Sequence, residues 1–213
     1  MARISVFGGT GYAGGSIVRE AARRGHQVTS HSRTLPEEKV AGVEYVVGSL
    51  LDESDRAKAL DGADVAIVAA AARGDIADTL RGGIAALAAQ AEEAGVRLGV
   101  VGGTGSLRVT PDGPRVYDTP DFPAEYRPES LTMGAVLDDL RATGSLDWFY
   151  VSPAATFGAY NPGEARGTYR IGTDVLLTDE NGNSDISGAD FGLAIVDEIE
   201  RHDHRRAHLA VAY

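Results

Sequence analysis

The sequence predicts an α/β fold in which a mostly parallel sheet is wound on both faces by helices. Three observations carry that expectation. Apolar runs of strand length alternate with helix-length amphipathic segments from the first residues onward. Several of these runs are apolar almost throughout, as strands buried on both faces are. The first run passes into the first helix through a loop rich in glycine. Strict alternation of this kind points to right-handed βαβ crossovers.

In chain order, residues 2–7 read as the first strand, and residues 16–24 as a helix stopped by Gly25. Residues 27–31 and 43–47 read as the second and third strands, separated by a turn-rich stretch. Asp52 is placed to cap a short helix over 52–60. A fully buried strand over 64–68 precedes a long helix over 75–94 that Gly95 closes, and 97–101 is the fifth strand. The second half continues with a helix over 129–143, a strand over 147–151, a helix over 189–201 and a last strand over 207–212. Ser187 and Asp190 have the spacing of a capping box before that last helix. The whole chain reads as one domain with a small C-terminal extension. Residues 107–128, with five prolines, form either a surface excursion or a lid. Their place after the fifth strand favours the lid, because ligands bind beyond the carboxyl ends of parallel strands.

The formal net charge of the 213 residues is −11, which argues against nucleic acid or an anionic membrane surface as a partner. Residues 63–72, the longest apolar run, fall well short of the roughly 20 residues a bilayer requires. The N-terminal run ends at once in glycines and reads as a strand rather than a signal peptide. With no cysteine in the chain, a cytoplasmic protein is expected.

Gly8, Gly11 and Gly14 follow the first strand and open the first helix, the context of a dinucleotide-binding Rossmann loop. The first glycine allows the turn, the second lets main chain approach a diphosphate, and the third allows close helix–strand packing. Thr10, Tyr12 and Ala13 complete the loop, and a helix N-terminus supplies free N–H groups and a positive dipole end. NAD-selecting proteins place a carboxylate at the end of the second strand to bond the ribose 2′-OH. This chain has His31-Ser32-Arg33 there, and no carboxylate before Glu37. A guanidinium clamps a 2′-phosphate, so Arg33, helped by the Thr10 hydroxyl, predicts NADP(H) as cofactor with NAD(H) as second choice.

With these residues in place, the chain resembles the atypical short-chain dehydrogenase/reductase group, in particular its NmrA-like and biliverdin-reductase-B-like members. These are NAD(P)H-binding proteins often described as NADH-flavin reductases. The resemblance rests on residues 7–14, 47–52, 118–123, 146–154, 167–170 and 186–191, and spans nearly the whole chain. It implies that Ser49 and Leu50 flank the adenine, although relatives commonly have Asp where this chain has Ser49. It implies further that Ala69 and Ala70 face the adjacent ribose and phosphates, and that Ser152, Pro153 and Ala154 sit against the nicotinamide amide. Gly103, Thr104 and Ser106 occupy the stretch where many relatives place a hydroxyl near the reacting carbon.

Many short-chain dehydrogenases use a Tyr-x-x-x-Lys pair, whose ammonium makes the tyrosine a usable acid and base. Tyr126 stands in a suitable place, but Ser130 follows four residues later, and no lysine occurs after Lys58. An unassisted phenol titrates near 10 and is a poor base at neutral pH. Flavin reduction demands less, because hydride passes to the acceptor and water can supply the proton. The expected function is therefore NADPH-dependent reduction of a flavin or a similar small planar acceptor, the flavin being substrate rather than resident cofactor. Thr104, Ser106 and Tyr126 are the candidate catalytic residues, and Phe122, Phe157 and Tyr160 could stack on the acceptor. The alternative is a non-catalytic NADP(H) sensor acting through a protein partner. His202, Asp203, His204 and His208 resemble a metal cluster but read as a solvated tail, so no metal is expected, and no Gly-x-Ser-x-Gly elbow exists.

Overall fold

The computed structural model describes all residues, Met1–Tyr213. Eight strands form one sheet: β1 (Arg3–Phe7), β2 (Gln27–Ser32), β3 (Val43–Val47), β4 (Val65–Val68), β5 (Arg97–Val101), β6 (Trp148–Pro153), β7 (Arg170–Gly172) and β8 (Ala207–Ala212). Their order is β3-β2-β1-β4-β5-β6-β8-β7, parallel except for β7. The helices are α1 (Tyr12–Arg23), α2 (Glu53–Leu60), α3 (Leu80–Ala94), α4 (Arg127–Ala142) and α5 (Gly188–Arg201). The strand order reverses between β1 and β4, and that switch point opens a crevice beyond the strand ends.

Strand alternation divides the core into two layers. Val65 and Ile67 pack with Ile17, Val18 and Ile195 on the α1/α5 side, while Ala66 and Val68 pack with Leu87 and Leu137 on the α3/α4 side. The fold class, the parallel order and most element bounds agree with the expectation. Three elements differ. First, α1 begins at Tyr12, four residues earlier than the sequence suggests. Gly14 and Gly15 are poor helix formers by propensity, yet a Cβ at Gly14 would overlap the Gly8 carbonyl, so packing overrides the local preference. Second, residues 74–79 form a separate short turn, and α3 proper starts at Leu80, the first buried residue of the segment. A helical turn with no buried face has nothing to hold it. Third, the three-residue β7 lacks any periodic signal and exists because it pairs antiparallel with β8.

At the start of α5 the capping box is built as expected at one end, with Ser187 Oγ accepting from the Asp190 N–H at 3.1 Å. The Asp190 carboxylate, only 2% exposed, instead accepts from the N–H groups of Arg166 at 2.7 Å and Gly167 at 3.0 Å. It also accepts from the Tyr213 hydroxyl, which ties the C-terminus to the loop before β7. Burial pushes the Asp190 pKa up, but the bonds from Tyr213, Arg166, Ser187 and Gly167 outweigh it and hold the group below the usual carboxylate range. Stability from this group is therefore present above the unfolded carboxyl pKa of about 4, and is lost as pH falls through the lower folded value. An Asp190→Asn variant should be less stable than the parent at pH 7, with the gap closing toward pH 2. Urea unfolding at both pH values measures it, and a gap that widens in acid would refute it.

Candidate functional site

Gly8 takes a φ of +82°, which turns the chain at the end of β1. Its N–H donates to the His31 carbonyl at 2.9 Å, and a Cβ there would lie 2.6 Å from the Ala69 oxygen. Gly8 thus draws the ends of β1, β2 and β4 together, with Ala69 and Ala70 forming the β4 wall. Gly11, the residue that caps α1, is different. Its φ of −79° suits any residue, and a Cβ would meet only the Gly8 oxygen, at 3.4 Å. Neither conformation nor internal packing requires glycine at 11, and the space beside it is open. No side chain caps α1, and its first turn carries no acidic residue, leaving the positive helix end open to an anion. A diphosphate fits this cradle. Thr10 lies exposed on the same loop.

On the β2 side, Arg33 follows the strand with its side chain 67% exposed, and its Nη1 lies 3.5 Å from the Asp75 carboxylate. Asp75 sits on the turn after β4, so this pair spans the crevice on the side expected to take the adenosine. Ser49 N–H donates to Asp55 at 2.9 Å, and the Ser49 hydroxyl accepts from the Leu51 N–H at 3.2 Å. The Leu50 side chain turns into the core beneath α3, leaving only its main chain near the crevice.

Beyond β5 and β6, the predicted hydroxyls point elsewhere than expected. Thr104 Oγ1 donates to the carbonyls of Pro153 and Ala154, both at 2.9 Å. Ser106 is buried, and its hydroxyl lies 3.2 Å from Tyr150, whose own proton goes to the Met133 carbonyl at 3.0 Å. A hydroxyl of Ser106 at the reacting carbon is thereby corrected, since it faces the protein interior. Ser152 is likewise buried, its Oγ 2.8 Å from the Gly103 carbonyl and 2.9 Å from His208 Nε2. Pro153 and Ala154 are also buried and offer main chain rather than side chains. A fully buried parallel strand has no side-chain face free for a ligand.

The model of a family described as NAD(P)H-binding matches residues 8–202. The chain belongs to this NAD(P)H-binding family. The uncharacterised protein YwnB of Bacillus subtilis is 36% identical, over 98% of this chain and 97% of its own length. Among solved structures, a Burkholderia pseudomallei protein provisionally described as exported is 40% identical, with full coverage of both chains and a TM-score of 0.89. A provisionally assigned NADH-flavin reductase from Streptococcus pneumoniae is 32% identical, covering 100% of this chain and 99% of its own, with a TM-score of 0.88. A provisional epimerase from Bacteroides thetaiotaomicron is 29% identical, covering 100% and 97%, with a TM-score of 0.88. The resemblance to atypical short-chain dehydrogenases agrees with these findings.

In this NAD(P)H-binding chain the mouth of the crevice is aromatic. Tyr126, 55% exposed, ends a short turn (Ala124–Tyr126) at the start of α4, and Tyr160 is 76% exposed. The Glu125 carboxylate beside Tyr126 pushes its phenol above the ordinary value, with smaller contributions from burial and Tyr160. That shift is opposite to what a tyrosine base requires. Ser130, where the relay lysine would stand, packs against Gly105 instead. Phe157 lies between Tyr12 and Phe191, with ring centroids 5.1 and 4.6 Å away, so it belongs to the α1/α5 contact rather than to the mouth. Phe122 rests against the Arg127 guanidinium. Residues 107–128 are tied down by Val116 N–H to the Leu107 carbonyl at 2.8 Å, by Arg115 to Asp138 at 2.6 Å, and by Arg127 to the Tyr117 carbonyl. These bonds brace the segment against itself and α4.

No helix is long and apolar enough to cross a membrane, and no group of three or more metal-ligating side chains comes together. The reading of the histidines as a solvated tail is corrected for His204 and His208, while His202 is exposed as expected. His204 bonds buried Glu198 at 2.6 Å, His202 bonds Asp147 at 2.7 Å, and His208 is buried on β8. Tyr150 and His208 are the residues that sequence reasoning missed. Their only signal was placement on neighbouring strands, where they stand in register.

Proposed function

We propose that this NAD(P)H-binding oxidoreductase prefers NADPH and reduces a flavin or a similar planar acceptor without a Tyr–Lys proton relay. The observation that carries this reading is the state of Tyr126, exposed, without a lysine, and raised rather than lowered in pKa by Glu125. Chemistry that needs a strong proton donor or base is poorly served here, whereas hydride delivery to a conjugated ring is not. The likeness to the pneumococcal reductase supports the same choice.

Bound NADPH would supply the hydride. The α1 amides and Gly11 would hold its diphosphate, and Arg33 would leave Asp75 for the 2′-phosphate. Gly103 and Thr104 would shape the far end of the crevice, and Tyr126 and Tyr160 would flank a planar acceptor and exclude water. A cytoplasmic location is part of the same proposal. Loss of NADPH absorbance with FMN, riboflavin and quinones tests the activity, and rates equal to an enzyme-free control for all of them would overturn it. NADPH binding with no turnover of any acceptor would turn the reading toward the cofactor sensor. For cofactor choice, Arg33→Ala should weaken NADPH about tenfold while changing NADH less than about twofold, the loss expected for one exposed charge-assisted contact. Calorimetry with both nucleotides measures it, and equal losses would refute the role of Arg33.

A further inference from the structure

Resting on the NADPH-binding reading above, we propose that His208 and Ser152 are positioning residues: a buried hydrogen-bond chain running from β8 through β6 fixes the Gly103 peptide against which the nicotinamide half of the cofactor lies. The sheet order sets the direction. The diphosphate cradle lies between β1 and β4, and Arg33 marks the β2 side for the adenosine. The other half of a dinucleotide must then extend toward β5 and β6, where Gly103 follows β5.

Gly103 is gripped from inside through its carbonyl. Its carbonyl accepts from Ser152 Oγ at 2.8 Å and from the Ser106 N–H at 3.2 Å. Because the Ser152 proton goes to that carbonyl, its oxygen accepts from His208 Nε2 at 2.9 Å. His208 therefore carries its proton on Nε2. Its Nδ1 is buried without a partner, and burial holds the imidazole far below its usual range, at about 4, so it stays neutral. The His208 ring stands edge-on to Tyr150, with centroids 5.1 Å apart. The Tyr150 ring fills the space a Cβ on Gly102, the residue before, would need. On the outer side the arrangement is the reverse, since a Cβ on Gly103 would meet nothing within 4 Å. Gly103 has a φ of −125°, which any residue adopts, so its glycine serves neither conformation nor internal packing. A peptide held from behind and bare in front is built for close approach by a flat ligand. A buried imidazole with one unpartnered nitrogen is costly in a fold that could have placed an aliphatic residue there. The donor it offers Ser152 explains its presence.

The test compares two probes that share the adenosine half, NADPH and 2′,5′-ADP, which lacks the nicotinamide. Ser152→Ala and His208→Leu each break the chain, while His208→Gln keeps an N–H donor near the position of Nε2. Ser152→Ala and His208→Leu should weaken NADPH about tenfold and change 2′,5′-ADP less than about twofold, with His208→Gln close to the parent. The two ligands are followed by nicotinamide fluorescence and by calorimetry. Equal losses on both probes, or no loss on NADPH, would overturn the positioning role, because damage to the fold alone does not distinguish the two halves. A parent protein that binds neither probe would instead remove the NADPH reading itself.

Discussion

A Gly11→Asp variant is expected to fold at least as well as the parent and to lose NADPH affinity by about 100-fold or more. Both halves of that result come from one position. Gly11 caps α1 with extended backbone and no side-chain bond, and a Cβ there meets only the Gly8 oxygen at 3.4 Å. Aspartate is among the best N-caps and favours the positive helix end, so stability should hold or rise by roughly 0.5 kcal/mol. The same carboxylate would occupy the space left for a diphosphate and repel it, while taking the amide bonds that the diphosphate needs. Gly14→Ala is the contrasting change. Its Cβ would overlap the Gly8 carbonyl, so the loop must shift, at a cost of about 1–3 kcal/mol. Thermal unfolding and NADPH titration of both variants separate the effects. Retained NADPH binding in a folded Gly11→Asp protein would disprove the cradle.

The largest stability loss is expected at Arg97, far from the crevice. Its guanidinium is buried, with Nη1 3.0 Å from the Glu198 carbonyl, Nη2 2.5 Å from Glu198 Oε1, and Cζ 4.4 Å from the Phe149 ring centroid. Arg97→Met would leave the buried Glu198 carboxylate with only His204 beside it, at 2.6 Å. Breaking one side of such a pair typically costs about 3–5 kcal/mol, most of it for the charge left behind. A second change, Glu198→Leu, should therefore recover a large part of that loss, because both charges are then gone. Urea unfolding of the single and double variants decides the matter. Additive losses would show that the two residues do not act as a pair.

The parts of the site read most directly from the sequence are those set by short stretches of chain. Gly8, Gly11 and Gly14 follow β1 within a few residues, and their steric roles at Gly8 and Gly14 depend on neighbours that any strand–turn–helix brings together. Arg33 follows from strand spacing in the same way. Where hydroxyls point was not legible. Thr104, Ser106 and Ser152 all follow or end strands near the crevice, yet Ser106 turns to Tyr150 and Ser152 to His208, partners 44 and 56 residues away.

Local sequence determined the alternation of strands and helices, the glycine turn, the helix stop at Gly95, and the want of a lysine behind Tyr126. Those features depend on backbone sterics, side-chain periodicity and residue identity, each contained in a few neighbouring positions. Tertiary packing decided the early start of α1, the existence of β7, the bracing of residues 107–128 and the burial of His208. Each of these depends on which distant surface a residue meets, and the free energy of burying a group belongs to that meeting rather than to the residue alone.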